Sequence, residues 1–376
     1  MRILAALLVS AACLPIPLQA QTAGPASVSG KSIPSAPSAA PGTIPLTSGE
    51  GRAVVAKLSS ELLSSFVYRD QAEAYAAMLT KNAAAGRYDG GTRDSLAKLL
   101  TDDLQAVHKD GHLHVEVAVP EQEGGGGGPP KDFPALIQSA KWIAPGIAYI
   151  RPSAFFSTDE EIAEVSKFMR EHSNAKTMIF DLRNHHGGRL GEMDVIFPYL
   201  FANKTPLVKM QMARSIYDEH GSPFGEAPTL DFVKDAEHVT ATHYAVPGDA
   251  TLLRKAKVYL LVSNKTASAG EHFALAFKST GRATLIGEAT AGANHFGGPA
   301  ELSPNFAVWM PVGRTYDIKT GKDWEGAGVA PDIAVNPKQA LVVALEKAGL
   351  SHAESVKLDA TEVPAEPVHS EKLTAR

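Results

Sequence analysis

The sequence predicts an α/β domain built around a largely parallel sheet, preceded by a small helical subdomain. Three observations carry that expectation. Between residues 147 and 287, short apolar runs alternate with helical stretches, the signature of strands joined by crossover helices. Between residues 54 and 108 apolar residues recur at helical spacing. The length of 376 residues, 44% of them hydrophobic and 20% charged, suits one large globular domain or two modest ones. A formal charge of −5 and a pI near 6.2 leave no electrostatic footprint for nucleic acid. No run of like charges marks a polyanion or membrane-surface patch.

Residues 1–20 read as a secretory signal peptide. Arg2 supplies the charged start, and the apolar stretch 3–18 is interrupted by Pro15 and Pro17. Cleavage is expected after Ala20, which places the protein outside the cytoplasm, with a bacterial periplasm the best fit. The stretch is too short for a transmembrane anchor, and no other segment is long and apolar enough to span. Cys13 is the one cysteine and lies inside the signal, so the mature chain is expected to hold no disulfide, thiolate metal site or cysteine nucleophile. Cleavage before Cys13 would instead give a lipoprotein, but Ser10 stands where a branched apolar residue is usual.

Residues 21–49 are rich in Pro, Ala, Ser and Gly and are expected to form a disordered linker. The helical subdomain is expected over 50–120. Val54, Leu58, Leu62, Leu63 and Phe66 form one apolar stripe, residues 71–83 a second helix, and Leu96, Leu99, Leu100, Leu104 and Val107 the stripe of a third. The turn at Asp110-Gly111 then opens an alternating strand that runs to Val117. A glycine run at 124–128 followed by Pro129-Pro130 reads as a low-complexity loop.

The larger domain is expected over 131–356. Strands are expected at 147–150, 176–182, 257–263 and 283–287. Helices are expected at 159–171, around the run 195–201 with a kink at Pro198, and at 270–279. Residues 357–376 read as a polar, disordered tail.

Three loops follow apolar strands: the Gly187-Gly188 loop, the Ser268 turn and the loop 287–292. Functional groups in α/β sheets gather at such carboxyl ends. Thr266-Ala267-Ser268-Ala269-Gly270-Glu271 joins a buried strand directly to a helix. A serine there sits on a sharp turn, and the free N–H groups of the first helical turn can hold an anion. That is the geometry of a nucleophile elbow, although Thr266 stands where the elbow's first glycine would be. The same residues also describe a serine that merely caps the helix. Gly187-Gly188 lets backbone N–H groups approach a ligand, or simply makes a tight turn.

A serine nucleophile needs a base. His112 opens a strand after a glycine turn, His114 shares its face, and His185, His186 and His295 lie in glycine-rich loops. Lys278 lies ten residues beyond Ser268 on the same helix, about 15 Å along the axis and out of hydrogen-bond reach. Lys265 reads as solvated. Glu325, beside Trp324 in a glycine-rich turn, can orient a histidine or be an ordinary exposed turn acid.

Four motifs occur in order: Asp181-Leu182-Arg183-Asn184-His185-His186-Gly187-Gly188, the Ser268 run, Gly287-Glu288-Ala289-Thr290-Ala291-Gly292, and Gly326-Ala327-Gly328-Val329-Ala330-Pro331-Asp332. Together they resemble the tail-specific protease family, which includes C-terminal-processing peptidases, the tricorn core and interphotoreceptor retinoid-binding protein repeats. The resemblance covers roughly residues 52–350. It implies a ClpP/crotonase-like ββα-superhelix for the catalytic domain. The helical segment ending in Asp110-Gly111-His112-Leu113 is similar to the N-terminal subdomain of the retinoid-binding-protein-like branch. Only about 25 residues separate Val117 from Trp142, too few for the PDZ domain that processing peptidases carry.

The resemblance implies a nucleophile at Ser268 and an oxyanion hole from the N–H groups of Gly187, Gly188 and Ala269. Relatives with a Ser–Lys dyad carry the lysine where this chain has Ala293. The implied triad is therefore that of the tricorn-like branch: Ser268, His112 and Glu325. No metal or cofactor is implied. His185, His186 and His272 crowd loops where relatives often have smaller or apolar residues. The implied activity is hydrolysis of a peptide or protein substrate, falling below pH ~6.5 as an unperturbed histidine base protonates. An esterase using the same groups, or a non-proteolytic carrier of an apolar ligand, are the alternatives.

Overall fold

The computed structural model describes residues 43–118 and 133–362. The expected signal peptide, nearly all of the linker, the glycine run at 124–128 and the tail beyond Glu362 lie outside the described residues. None of the helices described is long and apolar enough to cross a membrane.

Three helices come first: α1 (Glu50–Ser65), α2 (Arg69–Ala84) and α3 (Arg93–Val107). They lie where the apolar spacing predicts them. Leu58, Leu62, Leu79, Leu100 and Leu104 are fully buried in one core, whereas Leu63 and Val107 face solvent. Thr92 caps α3 by accepting from the Ser95 N–H at 3.3 Å. Strand β1 (His114–Val117) follows, then β2 (Ile137–Ala144), β3 (Ile147–Pro152), α4 (Asp159–Glu171), β4 (Thr177–Asp181) and α5 (Gly191–Leu200), with Pro198 inside that last helix. The chain continues through β5 (Thr205–Ala213), α6 (Arg214–His220), β6 (Leu230–Lys234), β7 (His238–Ala245), β8 (Lys257–Val262), α7 (Ala269–Thr280) and β9 (Thr284–Gly287). It closes with β10 (Phe296–Ser303), β11 (Phe306–Asp317), β12 (Ile333–Ala334), α8 (Ala340–Ala348) and α9 (His352–Asp359).

Six strands form the first sheet, in the order β12-β9-β8-β4-β3-β2, parallel except for the β2–β3 pair. Side chains alternate across it. Met178, Phe180, Val258, Leu260 and Val262 enter the core under α4, α5 and α7, while Ile179, Tyr259 and Leu261 enter the core under α8. All five residues of β4 are buried, as expected of a parallel strand covered on both faces. Phe180, Phe273 and Phe277 are at most 1% exposed, and Phe180 meets Phe273 edge-on at 5.5 Å. They bolt α7 to the sheet, and removing one such ring costs about 3–5 kcal/mol. This anchoring fixes the helix whose first turn carries Ser268.

The second sheet is antiparallel, in the order β1-β11-β5-β7-β6, with β10 also on β11. Apart from β1, the sequence reading did not anticipate it. The three N-terminal helices pack against it through Val115, Phe306, Val308 and Met310. The last helix reaches Asp359, into the start of the expected tail.

Candidate active site

Strand β8 delivers the chain to the serine turn. Thr266, fully buried, donates from Oγ1 to the Leu182 carbonyl at 2.7 Å and accepts from the Ser263 N–H at 2.9 Å. The threonine that replaces the elbow glycine thus ties the turn to the end of β4. Ser268 follows at φ 51°, ψ −115°. The capping residues Thr92, Thr158 and Ser351 have ordinary extended backbones, as helix caps do. A non-glycine residue in the Ser268 conformation costs about 1–3 kcal/mol and persists only where its surroundings impose it. The buried Glu271 carboxylate imposes it here. It accepts from the Ser268 N–H at 2.9 Å, Thr290 Oγ1 at 2.6 Å, the Gly292 N–H at 2.7 Å and the Ala293 N–H at 2.9 Å. Burial raises the Glu271 pKa, and these donors offset part of the rise.

Gly187 and Gly188 sit at φ 99° and 126°, a region that favours glycine. A Cβ on Gly187 would lie 2.7 Å from Ser268 Cβ, and one on Gly188 would lie 1.9 Å from the Phe155 carbonyl oxygen. The loop is pinned to Phe155: the Phe155 N–H donates to Gly187 O at 2.8 Å, and the Arg189 N–H to Phe155 O at 2.6 Å. The Gly187 N–H donates to His185 Nδ1 at 3.2 Å. The N–H groups of Gly188 and Ala269 find no acceptor among the described residues. Both residues border one cavity of about 50 Å³ with Ser268. Two free amides beside a strained serine are what an oxyanion requires.

The loop Asp110-Gly111-His112-Leu113 reaches this turn through a chain of contacts. Gly111 packs on Ala293, close enough that a Gly111 Cβ would lie 3.0 Å from the Ala293 Cβ. The Ala293 N–H is bonded to the same carboxylate that holds Ser268. Asp110 Oδ1 accepts from the N–H groups of His112 at 2.8 Å and Leu113 at 3.0 Å, and Glu325 Oε1 accepts from the Gly111 N–H at 2.7 Å. The His112 ring stacks on Trp309 at 6.2 Å, with Nδ1 buried and unpartnered. Burial pushes its pKa down to about 4. No hydrogen bond joins the His112 ring to Ser268 or Glu325 among the described residues.

Glu325 turns instead to His295. Its Oε2 accepts from the Asn294 N–H at 2.7 Å and the His295 N–H at 3.2 Å, and lies 3.7 Å from His295 Nδ1. His295 Nδ1 is 2.7 Å from Asp110 Oδ2. Burial would lower the His295 pKa, but the Asp110 carboxylate raises it. Asn294 and Phe296 line the cavity beside Ser268. His295, between them, does not border that cavity; its ring meets Tyr68 edge-on at 5.5 Å and pins the Asp110 loop. The facing atoms of Asp110, His295 and Glu325 lie within 4.8 Å of one another, as close as ligands of a metal ion. These atoms are hydrogen-bonded to one another and to the backbone amides described above.

The other sequence candidates take separate places. His114 Nδ1 bonds the His112 carbonyl at 2.8 Å. His185 is fully buried, and burial holds its pKa near 3. Lys278 bonds the Ala330 carbonyl at 2.7 Å and Asp332 at 3.0 Å. His272 lines the cavity and belongs to a relay that sequence reasoning missed. Its Nε2 is 2.9 Å from His243 Nδ1, and His243 Nε2 is 3.0 Å from Asp194 Oδ1. The i, i+4 spacing of Ser268 and His272 was a signal for the first member; His243 and Asp194 lie on distant elements.

Comparison with known proteins gives the family and the fold. The model of peptidase family S41 matches residues 146–335, half of the chain. Carboxyl-terminal-processing peptidase 3 of Arabidopsis thaliana is 27% identical over 187 residues, 49% of this chain and 31% of the relative. The C-terminal processing peptidase of Tetradesmus obliquus is 26% identical over 208 residues, 53% of this chain and 38% of the relative. The chain thus spans about a third of the length of these curated relatives. A candidate peptidase from Parabacteroides merdae superposes with a TM-score of 0.51 at 17% identity, covering 81% of this chain and 98% of the other. The fold is the mixed α/β, ClpP/crotonase-like one with N-terminal helices.

Proposed function

The chain belongs to peptidase family S41, and on that premise we propose that it is a secreted or periplasmic serine peptidase working through Ser268, His112 and Glu325. One observation carries the reading: a strained serine that opens on a cavity bordered by two unpaired backbone amides. Ser268 Oγ attacks the scissile carbonyl carbon, and the neutral His112 ring takes its proton. The Gly188 and Ala269 N–H groups receive the negative charge that develops on oxygen. Gly187 contributes by having no side chain, its own N–H being engaged by His185. The protonated His112 then gives its proton to the leaving amine, and water releases the acyl group. Glu325 acts on His112 through the Gly111 amide and His295, so it is a positioning residue here. In unliganded enzymes such hydrogen bonds are often open and tighten around substrate.

Membership of the retinoid-binding-protein-like branch is part of the same proposal and rests on the segment of three helices leading into the Asp110 loop. The cavity of about 50 Å³ beside the serine is smaller than the roughly 300–1,000 Å³ of ligand pockets, so a carried apolar ligand would have to sit away from Ser268. Fluorophosphonate labelling of the purified protein, with the adduct mapped by mass spectrometry, tests the proposal. The expected result is an adduct on Ser268 that weakens sharply in His112→Ala. A folded protein that takes up no label would overturn it.

A further inference from the structure

The cavity beside Ser268 has apolar walls from Leu190, Phe224, Phe296 and Trp324. With ~10–15 Å³ needed per water-sized group, 50 Å³ holds about three to five non-hydrogen groups. That admits the side chains of alanine, serine, threonine and valine and excludes an aromatic ring. An acyl group on Ser268, with its oxygen on the Gly188 and Ala269 amides, brings its own side chain nearest to this space.

One wall is polar. His272 lies one helical turn beyond Ser268 on the same face of α7 and is 4% exposed. A carboxylate can only accept, so Asp194 requires the proton on His243 Nε2. With its one remaining ring nitrogen as acceptor, His243 Nδ1 takes a hydrogen bond from His272 Nε2, the arrangement on which the inference below is built. His272 Nδ1 is left bare. It has no hydrogen bond among the described residues, yet it is not sealed off as the unpartnered ring nitrogens of His112, His185 and His295 are. Asn294, also in the wall, has its amide engaged by the Thr315 backbone at 2.6 and 3.3 Å.

We propose that this cavity selects a small hydroxyl-bearing side chain, serine or threonine, on the acyl side of the scissile bond, with the hydroxyl donating a hydrogen bond to His272 Nδ1. The inference rests on the peptidase reading and names the substrate class of that site. Three elements fix the relay: Asp194 on α5, His243 on β7 and His272 on α7. An isosteric valine fills the same space and leaves the acceptor dry and unpaired, the arrangement by which polar sites reject apolar analogues.

The test uses the wild-type protein with peptide sets that differ only at this residue: threonine against valine, and serine against alanine. The expected result is a kcat/KM at least about tenfold higher for the hydroxyl member of each pair. His272→Leu should erase the preference while cleaving the valine peptide, and His272→Gln, which keeps an acceptor, should retain part of it. Ser268-dependent cleavage with equal or reversed preference in the wild type overturns the inference and leaves the peptidase reading standing. No cleavage of any member, with no fluorophosphonate adduct on Ser268, overturns that reading and the inference with it.

Discussion

Two serines in this molecule share one unusual backbone and do different work. Ser157 at φ 56° and Ser268 at φ 51° are the two non-glycine residues with positive φ among those described. Each stands where a strand-derived loop turns into a helix, and a glutamate grips the N–H of each. The hydroxyls differ. Ser157 Oγ donates to Glu192 Oε2 at 2.9 Å and accepts from the Gly191 N–H at 3.2 Å, and its own N–H is shared by Glu192 at 2.6 Å and Glu161 at 3.1 Å. For Ser268 the Glu271 N–H donates to the backbone carbonyl at 2.9 Å, and no side-chain oxygen or backbone carbonyl among the described residues holds its Oγ. Strain alone therefore does not mark a nucleophile. The proposal for Ser268 rests on strain combined with unpaired amides beside the serine.

Substitution of the two serines breaks or sharpens this contrast most strongly. Ser268→Ala should lower kcat by about 10⁴-fold or more. Ser157→Ala should leave kcat within about tenfold and lower stability by about 1–2 kcal/mol, since Glu192 loses a buried donor. A comparable kcat loss in both, with stability unchanged, would end the distinction; denaturant titration beside kinetics reads both.

The histidines give the next largest effect. His112→Ala should cost about 10²–10⁴-fold in kcat/KM. Because a base must be neutral and burial holds His112 near 4, kcat/KM should stay level down to about pH 5 and fall as pH drops through about 4. That replaces the limb near 6.5 expected from sequence. His295→Gln should instead act on stability, by about 3–5 kcal/mol, because it leaves the buried Asp110 carboxylate without its partner. An acid limb above the ordinary histidine range that disappears in His295→Gln would transfer the base to His295, whose pKa the Asp110 carboxylate raises.

The smallest effect concerns the carboxyl pair under Ser157. Burial and then the neighbouring Glu192 push Glu161 up to about 8. The folded protein therefore keeps a proton that the unfolded chain releases above about pH 4.5, and stability from this site falls as pH rises from there to about 8. Glu161→Gln needs no such proton. It should raise Tm by about 2–4 °C at pH 8, equivalent to roughly 1 kcal/mol, and leave it unchanged at pH 4. Equal gains at both values would exclude the shared-proton explanation.

What was legible in the sequence was local. Helix α4 occupies 159–171 as expected because its Thr158 cap, three first-turn acids and apolar stripe lie within one segment. Ser268 and the Gly187-Gly188 pair were visible because each sits where a periodic run breaks off. The antiparallel sheet was not: Val115 finds its partner at Val308, and a strand such as β5, with Lys209, Gln211 and two methionines, carries little β-branched signal. The same holds inside the site. The pairing of Asp110 with His295, and the burial that moves the pKa of His112, come from segments that meet only in three dimensions.

The Asp110–His295 bond has a further consequence. The part of the chain that carries the family signature, residues 146–335, contains the proposed nucleophile Ser268, while His112, the base we propose for it, is supplied by the segment before the glycine run at 124–128. A chain severed at that run would yield two halves, each silent on its own. They share a ready adhesive in the β1–β11 ladder and the Asp110–His295 clasp. Fused to two other proteins, they would make a reporter whose signal switches on when its carriers come together.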